Sequence, residues 1–315
     1  MPAAWDKRIA WDGVSFHIPR TWELALYKRI KRRIWRLEIE DEYSVRLEIE
    51  WTVRKKPLDV DTVLARYEKS TGKIAPKAVE KRPVESMPEH WNATYYTFSQ
   101  TQKSRVGTGL EHVKHGLVTA FYIPPDKRFF CFALLHVYPE NLDDNPSAQI
   151  RRFAKGFRRH GEELIPWQMF DVAFKLPRQF LLEGTSFGIG SKLMVFRWRT
   201  RRFYLWHLSC ADKFLRPGVV PERWLAGFLN DFKRIRGIVF EPGPGGSITW
   251  HRRKRHPLGH RDEIARGCYK YEIRYLIDPR KNRVVLWVFN YQKPEDLETL
   301  PEAFLFDPRP GLAKL

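Results

Sequence analysis

The chain has few cysteines and no long apolar run. Its three cysteines, Cys131, Cys210 and Cys268, stand far apart in 315 residues. That spacing excludes a disulfide framework and points to a reducing interior. No stretch approaches the roughly 18–20 consecutive apolar residues that a membrane-crossing helix needs. Met1 to Gly13 offers neither an apolar core nor a small-residue cleavage site, so a secretory signal is not expected. The sequon Asn92-Ala93-Thr94 then has no secretory route to serve, and the expected location is the cytoplasm. An RNP signature, a GXXG loop in a suitable context and a zinc knuckle are also missing, which removes the common RNA-reading modules.

What is present is core material and positive charge. Hydrophobic residues make up 43% of the chain and aromatics 14%, enough for packed cores and too much for general disorder. The formal charge is +19. Residues 1–163 hold 29 Lys and Arg against 22 Asp and Glu, and residues 164–315 hold 27 against 15, so the C-terminal half is the more basic. An excess of this size favours an acidic partner: nucleic acid, an anionic membrane or an acidic protein surface. The competing explanation is a solvated surface that serves solubility.

Laid against itself, the chain repeats. Val14-Ser15-Phe16-His17-Ile18-Pro19-Arg20-Thr21-Trp22 parallels Val172-Ala173-Phe174-Lys175-Leu176-Pro177-Arg178-Gln179-Phe180. Alternating Val, Phe and Ile or Leu predict a short strand that the proline ends. Further strands are expected over 37–40 and 45–51 in the first half, and over 193–198 and 203–208 in the second, the latter pair joined by Arg199-Thr200-Arg201-Arg202. Each half then has a helix. Asp59 caps residues 60–70, with Val63, Leu64 and Tyr67 on one face and Gly72 past the end. Pro221 opens its counterpart, with Trp224, Leu225, Phe228 and Phe232 inward and Gly237 at the stop. Paired strands come later, 121–123 with 129–137, and 271–277 with 284–289. Asn145-Pro146 starts a helix carried by Ile150, Phe153 and Phe157. In the last segment, 294–306, Pro301 interrupts the counterpart helix.

These features predict an α+β protein of two tandem similar domains, 1–163 and 164–315, each an antiparallel sheet with packed helices. The join is expected between Gly161 and Trp167. An opening strand ending in Pro with an aromatic three residues later (Phe16-His17-Ile18-Pro19 with Trp22, Phe174-Lys175-Leu176-Pro177 with Phe180), then hairpin, helix, strands and a final helix, resembles the PsbP-like fold. That fold is shared by the photosystem protein PsbP and the Ran guanine-nucleotide-release factor. The resemblance implies an antiparallel sheet surrounded by helices in each half, and a binding or assembly role. It assigns no site residue.

The chemistry-bearing candidates are weaker. Gly184-Thr185-Ser186-Phe187-Gly188 has the letters of a nucleophile elbow, which requires a strand, a sharp turn and a helix. Strand-like residues follow instead, so a glycine-rich turn between strands is expected. His251, His256 and His260 with Cys268 have spacings that zinc tolerates, but Arg252, Arg253, Lys254, Arg255 and Arg261 disfavour a dication there. No metal or cofactor is expected. The same four residues, Arg252, Arg253, Lys254 and Arg255, follow the Gly243-Pro244-Gly245-Gly246 lead-in and read as an anion site, with Trp250 and Tyr269 available to stack. Other basic concentrations lie at 28–36, 151–159 and 197–202. Glu38, Glu40, Glu48 and Glu50 alternate beside Arg36, Arg46 and Arg54, which predicts cross-strand ion pairs rather than acid/base catalysis. Trp22, Trp51, Trp206 and Trp287 are expected in the core.

The function expected is therefore a non-catalytic binding or assembly protein whose basic surface meets an acidic macromolecule, an acidic protein surface or nucleic acid. The alternatives are a metal-dependent enzyme built on the His251, His256, His260 and Cys268 group, a Ser186 enzyme, and a purely structural protein-interaction domain.

Overall fold

The computed structural model describes residues 4–31, 34–75, 78–103, 110–139, 145–161, 163–169, 172–235, 237–252 and 270–300. It divides into two compact units. One holds Met1–His160 with Pro166–Asp171; the other holds Gly161–Ile165 with Val172–Leu315. Antiparallel sheets dominate both, with helices packed against them, so the chain is α+β with sheet in the majority. Among the described residues no helix is long and apolar enough to cross a membrane.

The first unit begins with strands β1 (Lys7–Trp11) and β2 (Val14–Ile18). Trp11 pairs with Val14 across the two-residue loop Asp12-Gly13, where both residues have positive φ, 45° and 86°. That is the backbone an Asp-Gly hairpin turn adopts most easily. After β2 the chain turns at Pro19, and the Trp22 amide donates to the Pro19 carbonyl at 3.1 Å. A meander follows of β3 (Glu23–Lys31), β4 (Ile34–Glu40) and β5 (Val45–Val53). Helix α1 (Val60–Ile74) is capped by Asp59, which accepts from the Thr62 amide. Strands β6 (Ala78–Pro83), β7 (Trp91–Lys103), β8 (Leu110–Tyr122) and β9 (Phe129–Val137) complete a seven-stranded sheet in the order β3-β4-β5-β9-β8-β7-β6. Helix α2 (Pro146–Gly156) starts at Asn145, whose side chain accepts from the Ala148 amide. The two-residue strand β10 (Arg158–Arg159) pairs with β2, and Gln168 of β11 (Leu164–Met169) pairs with Ala10 of β1.

Apolar side chains pack on both faces of the sheet. Leu37, Ile39, Leu47, Ile49, Ala133 and Leu135 are fully or almost fully buried on one side. On the other, Tyr67 of α1 lies among Phe130, Phe132, Leu134, Leu117 and Phe98. Phe153 of α2 is fully buried and meets Phe16 of β2, Trp91 of β7 and Phe157, with ring centroids 5.4, 5.7 and 6.0 Å away.

The second unit opens with β12 (Val172–Pro177), in which Val172, Phe174 and Leu176 are buried and Ala173 and Lys175 are exposed. The chain turns at Pro177, and the Phe180 amide donates to its carbonyl at 2.9 Å. The meander β13 (Leu181–Gly188), β14 (Ser191–Trp198) and β15 (Arg201–Ser209) comes next, then α3 (Ala211–Phe214) and α4 (Pro221–Asp231). Strands β16 (Ile238–Pro242) and β17 (Ile248–Arg252) pair with each other. β18 (Lys270–Asp278) and β19 (Arg283–Tyr291) complete a five-stranded sheet ordered β13-β14-β15-β19-β18. A short helix, α5 (Glu295–Glu298), ends the described chain. Under α4, Leu225, Ala226 and Leu229 close on Leu193, Val195, Tyr204, Trp206 and Leu286.

Several expectations need correction. Helix α1 runs through Gly72 to Ile74, because the glycine has no left-handed φ and the Ala75 amide still reaches the Thr71 carbonyl beyond it. Helix α4 stops at Asp231, well short of Gly237. Arg201 and Arg202 belong to strand β15, and the turn before it is only Arg199-Thr200, with Arg199 at φ 54°. β8 starts eleven residues before the expected 121, at Leu110, and pairs along its whole length with β7. Of the 294–306 segment, residues 301–306 lie outside the described residues.

Phe153 should be the costliest side chain to truncate on α2. Phe153→Ala is expected to lower stability by about 3–5 kcal/mol in urea unfolding. Arg152→Ala, exposed on the same helix, should stay within about 0.5 kcal/mol of the parent.

Candidate anion-facing site

The four glutamates do not form an open acidic patch. β4 and β5 set Glu38 opposite Glu48, and Arg36 opposite Glu50. Like charges placed opposite each other repel, and Arg36 relieves them by bridging. Its guanidinium reaches Glu38 at 3.1 Å, Glu50 at 3.6 Å and makes a close pair with Glu48. Lys28 of β3 adds a second cation to Glu38 at 3.1 Å. Glu50 is buried and accepts from the Tyr67 hydroxyl of α1 at 2.7 Å. His136 of β9 lies 2.8 Å from Glu48. Glu40, at the strand end, is exposed. The set is thus a half-buried ladder of ion pairs under the edge of a helix, and its register accounts for it without catalysis.

Burial shapes the titration of this ladder. The Tyr67 hydroxyl is pushed up by burial first and by the Glu50 charge second. His136 is pulled down to about 4, first by burial and then by the Arg36 and Arg46 charges. Glu48 is already engaged by Arg36, so the imidazole serves as a neutral N–H donor.

The Ser186 alternative lacks the strand–turn–helix geometry that its chemistry needs. Ser186 lies within β13, opposite Leu193, and no helix follows it. The expected glycine-rich turn is also misplaced: Gly184 and Gly188 are strand residues, and the turn is Ile189-Gly190 with Gly190 at φ 75°. His251 lies on β17 with its Nδ1 3.4 Å from Glu241. His256, His260 and Cys268 lie outside the described residues. Among the described residues no three His, Cys, Asp or Glu side chains are placed to hold a metal ion.

The basic concentrations separate into paired and unpaired sets. In 197–202, Arg197 and Arg202 share Glu183 at 4.0 and 3.0 Å, and buried Arg201 holds Asp296 at 2.7 Å. Burial raises the Asp296 carboxyl, but Arg201 and the amides of Lys293 and Gln292 outweigh it and hold the carboxyl below its usual range. In 28–36, Lys28 and Arg36 serve the glutamate ladder. In 151–159, Arg159 reaches Asp126 at 3.6 Å, while Arg151 and Arg158 donate to backbone carbonyls. Among the described residues Arg152 and Lys155 have no carboxylate partner, and they line a recess of about 350 Å³ with Trp5 and His17. Of the proposed C-terminal site, Arg252 ends β17, and Arg253, Lys254 and Arg255 lie outside the described residues.

A second recess, of about 460 Å³, was not anticipated from the sequence. Arg54, Lys55, Lys56, Pro57, Leu58 and Asp59 line it between β5 and α1. The Arg128 carbonyl accepts from the Arg54 amide and the Lys127 carbonyl from the Leu58 amide, which ties the segment down at both ends. Asp59 is occupied by the Thr62 amide and hydroxyl. Three consecutive cations after a strand were the available sequence signal. Their freedom from carboxylates is visible only in the fold.

No family model matches the chain, and no curated protein matches it. Among solved structures, one from Bacteroides thetaiotaomicron VPI-5482 is similar at 10% identity with a TM-score of 0.30. The match covers 54% of this chain and 56% of that one, so it spans about half of each.

The ladder generates a pH expectation. A histidine ordinarily near 6.5 that is held at about 4 in the fold takes up its proton more readily when unfolded. Its neutral-state contribution is fully present above pH 6.5 and is lost as pH falls from 6.5 towards 4. Across that window the parent should lose up to about 3 kcal/mol more stability than His136→Gln, which cannot titrate. Urea unfolding at a series of pH values measures it, and parallel curves for the two proteins would contradict it.

Proposed function

We propose that the chain is a non-catalytic binding or assembly protein, built from two repeats of one PsbP-like α+β plan, that receives an acidic macromolecule on its basic surface in the cytoplasm. Nucleic acid is the specific partner proposed. The observation that carries the reading is the set of cations without carboxylate partners among the described residues, around two recesses: Arg54, Lys55 and Lys56 at one, Arg152 and Lys155 at the other. Polyphosphates are drawn to such sites by charge and counterion release, independently of base sequence. Arg252, Arg253, Lys254 and Arg255 remain a proposed third contact.

Three features support the repeat. Each unit has a three-stranded meander, a helix, two strands and two more strands, and the last strand returns beside the third of the meander: β9 beside β5, β19 beside β15. Trp22 and Phe180 close the same turn on Pro19 and Pro177. The Arg20 amide donates to Ala4 and the Arg178 amide to Glu163, a second matched bond. The units diverge on the helix-bearing face of the meander. Where β4 and β5 carry the Arg36–glutamate ladder, β14 and β15 carry Leu193, Val195, Tyr204 and Trp206.

The test is a salt titration of binding to duplex DNA. Affinity should fall linearly on a log–log plot, and replacing Arg54, Lys55 and Lys56 with alanine should flatten the slope by roughly 3 units if each meets one phosphate. Alanine at Arg252, Arg253, Lys254 and Arg255 should flatten it by a similar roughly 3 units. All sequences should lose affinity alike. A parent that binds no DNA at low salt removes the nucleic-acid reading.

A further inference from the structure

The recess lined by Trp5, His17, Arg152 and Lys155 combines two chemistries that the Arg54–Lys56 recess does not. It has an aromatic ring as well as cations. The fold brings these residues together from opposite ends of the first unit. Phe16 packs on Phe153, which lays β2 beside α2 and brings His17 to the end of the helix. Gly156 makes this approach possible, since a Cβ there would lie 3.0 Å from His17 Nδ1. Arg152 and Lys155 are three apart on α2 and so share a face. Both are exposed.

Among the described residues one more cation lies beside the recess. Arg8 sits opposite His17 in the β1–β2 register, on the same side of the hairpin, and is exposed. The nearby carboxylate, Asp6, is held by Arg20 through paired bonds of 2.7 and 2.8 Å. Trp5 is half-buried against Trp22, with ring centroids 5.6 Å apart and planes tilted by 57°.

From this arrangement we propose that the recess binds single-stranded nucleic acid, with a base on the Trp5 indole and its phosphate between Arg152, Lys155 and His17. The inference rests on the basic-surface reading above and deepens it by naming the strand form. A volume of about 350 Å³ lies at the lower end of small-ligand sites, the scale of one nucleotide. A duplex keeps its base faces stacked inside, so only an unpaired strand offers a face to Trp5.

Anisotropy titrations with a labelled oligo(dT) strand and a labelled hairpin duplex test this. Trp5→Ala should weaken strand binding roughly 5- to 150-fold, the worth of one base–aromatic stack, and leave duplex binding within about two-fold. Trp5→Phe should restore most of the strand affinity, and Arg152→Gln with Lys155→Gln should weaken both ligands. Irradiating the unaltered protein with a 5-iodouracil-substituted strand should place the adduct on Trp5, a readout independent of how the variants fold. Unchanged strand affinity in Trp5→Ala, or adducts only elsewhere, overturns the proposal while duplex binding by the parent leaves the basic-surface reading standing. A parent that binds neither ligand removes both. Free dTMP displacing the strand at equal concentration would overturn the strand assignment in favour of a free nucleotide.

Discussion

Carboxylates are the scarce charge in this chain, 37 against 56 Lys and Arg, and where the fold uses them decides what its surface can do. A charge taken out of water needs a partner, because an unpaired one costs several kcal/mol. The buried arginines meet that need first. Arg201 is held by Asp296, Arg283 by Asp278 at 3.4 Å, and Arg46 by Asp41 at 3.3 Å. Arg36 draws on three glutamates at once. The acidic side chains spent this way are unavailable to the cations on the rim, and the residues at 54–56 and at 152 and 155 are left facing solvent. Both recesses are lined by cations of this surplus.

The same constraint distinguishes the two units. Beneath α4, the meander face is closed by Tyr204 and Trp206, whose rings stack at 5.7 Å, with Phe232 edge-on to both. Beneath the edge of α1, the equivalent face under the proposed repeat carries Glu48 and Glu50. One unit therefore closes this face with apolar side chains and the other with ion pairs. Apolar closure is the less demanding solution, because a half-satisfied polar network is costly and every member must find a partner. The polar version ties helix to sheet through the Tyr67–Glu50 bond and makes that junction sensitive to acid through His136.

What was legible in the sequence was local. The strands around 193–198, 203–208 and 284–289 are short, nearly continuous apolar runs bounded by turns, as buried strands are, and α1, α2 and α4 follow from Asp59, Asn145-Pro146 and Pro221 at their starts. The long β7–β8 hairpin escaped because Thr94, Thr97 and Thr119 place polar residues where alternation looks for apolar ones, although Thr97 and Thr119 are buried. Asp12-Gly13 was a readable hairpin signal that the opening-strand match overshadowed. The glutamate alternation foretold ion pairs but not their burial, which depends on α1 arriving over Glu50. The Trp5 recess was out of reach, since its residues lie well over a hundred positions apart and meet only because Phe16 packs on Phe153. Which lysines lack a carboxylate is likewise a property of the folded chain alone.

Lysine-reactivity footprinting with and without a bound oligonucleotide tests the central claim most directly. Paired and unpaired lysines report separately in one experiment. The account predicts that Lys55, Lys56 and Lys155 become protected from acylation on binding, while Lys28, held by Glu38, changes little. Unchanged reactivity at all three, or protection confined to ion-paired lysines such as Lys28, would contradict it.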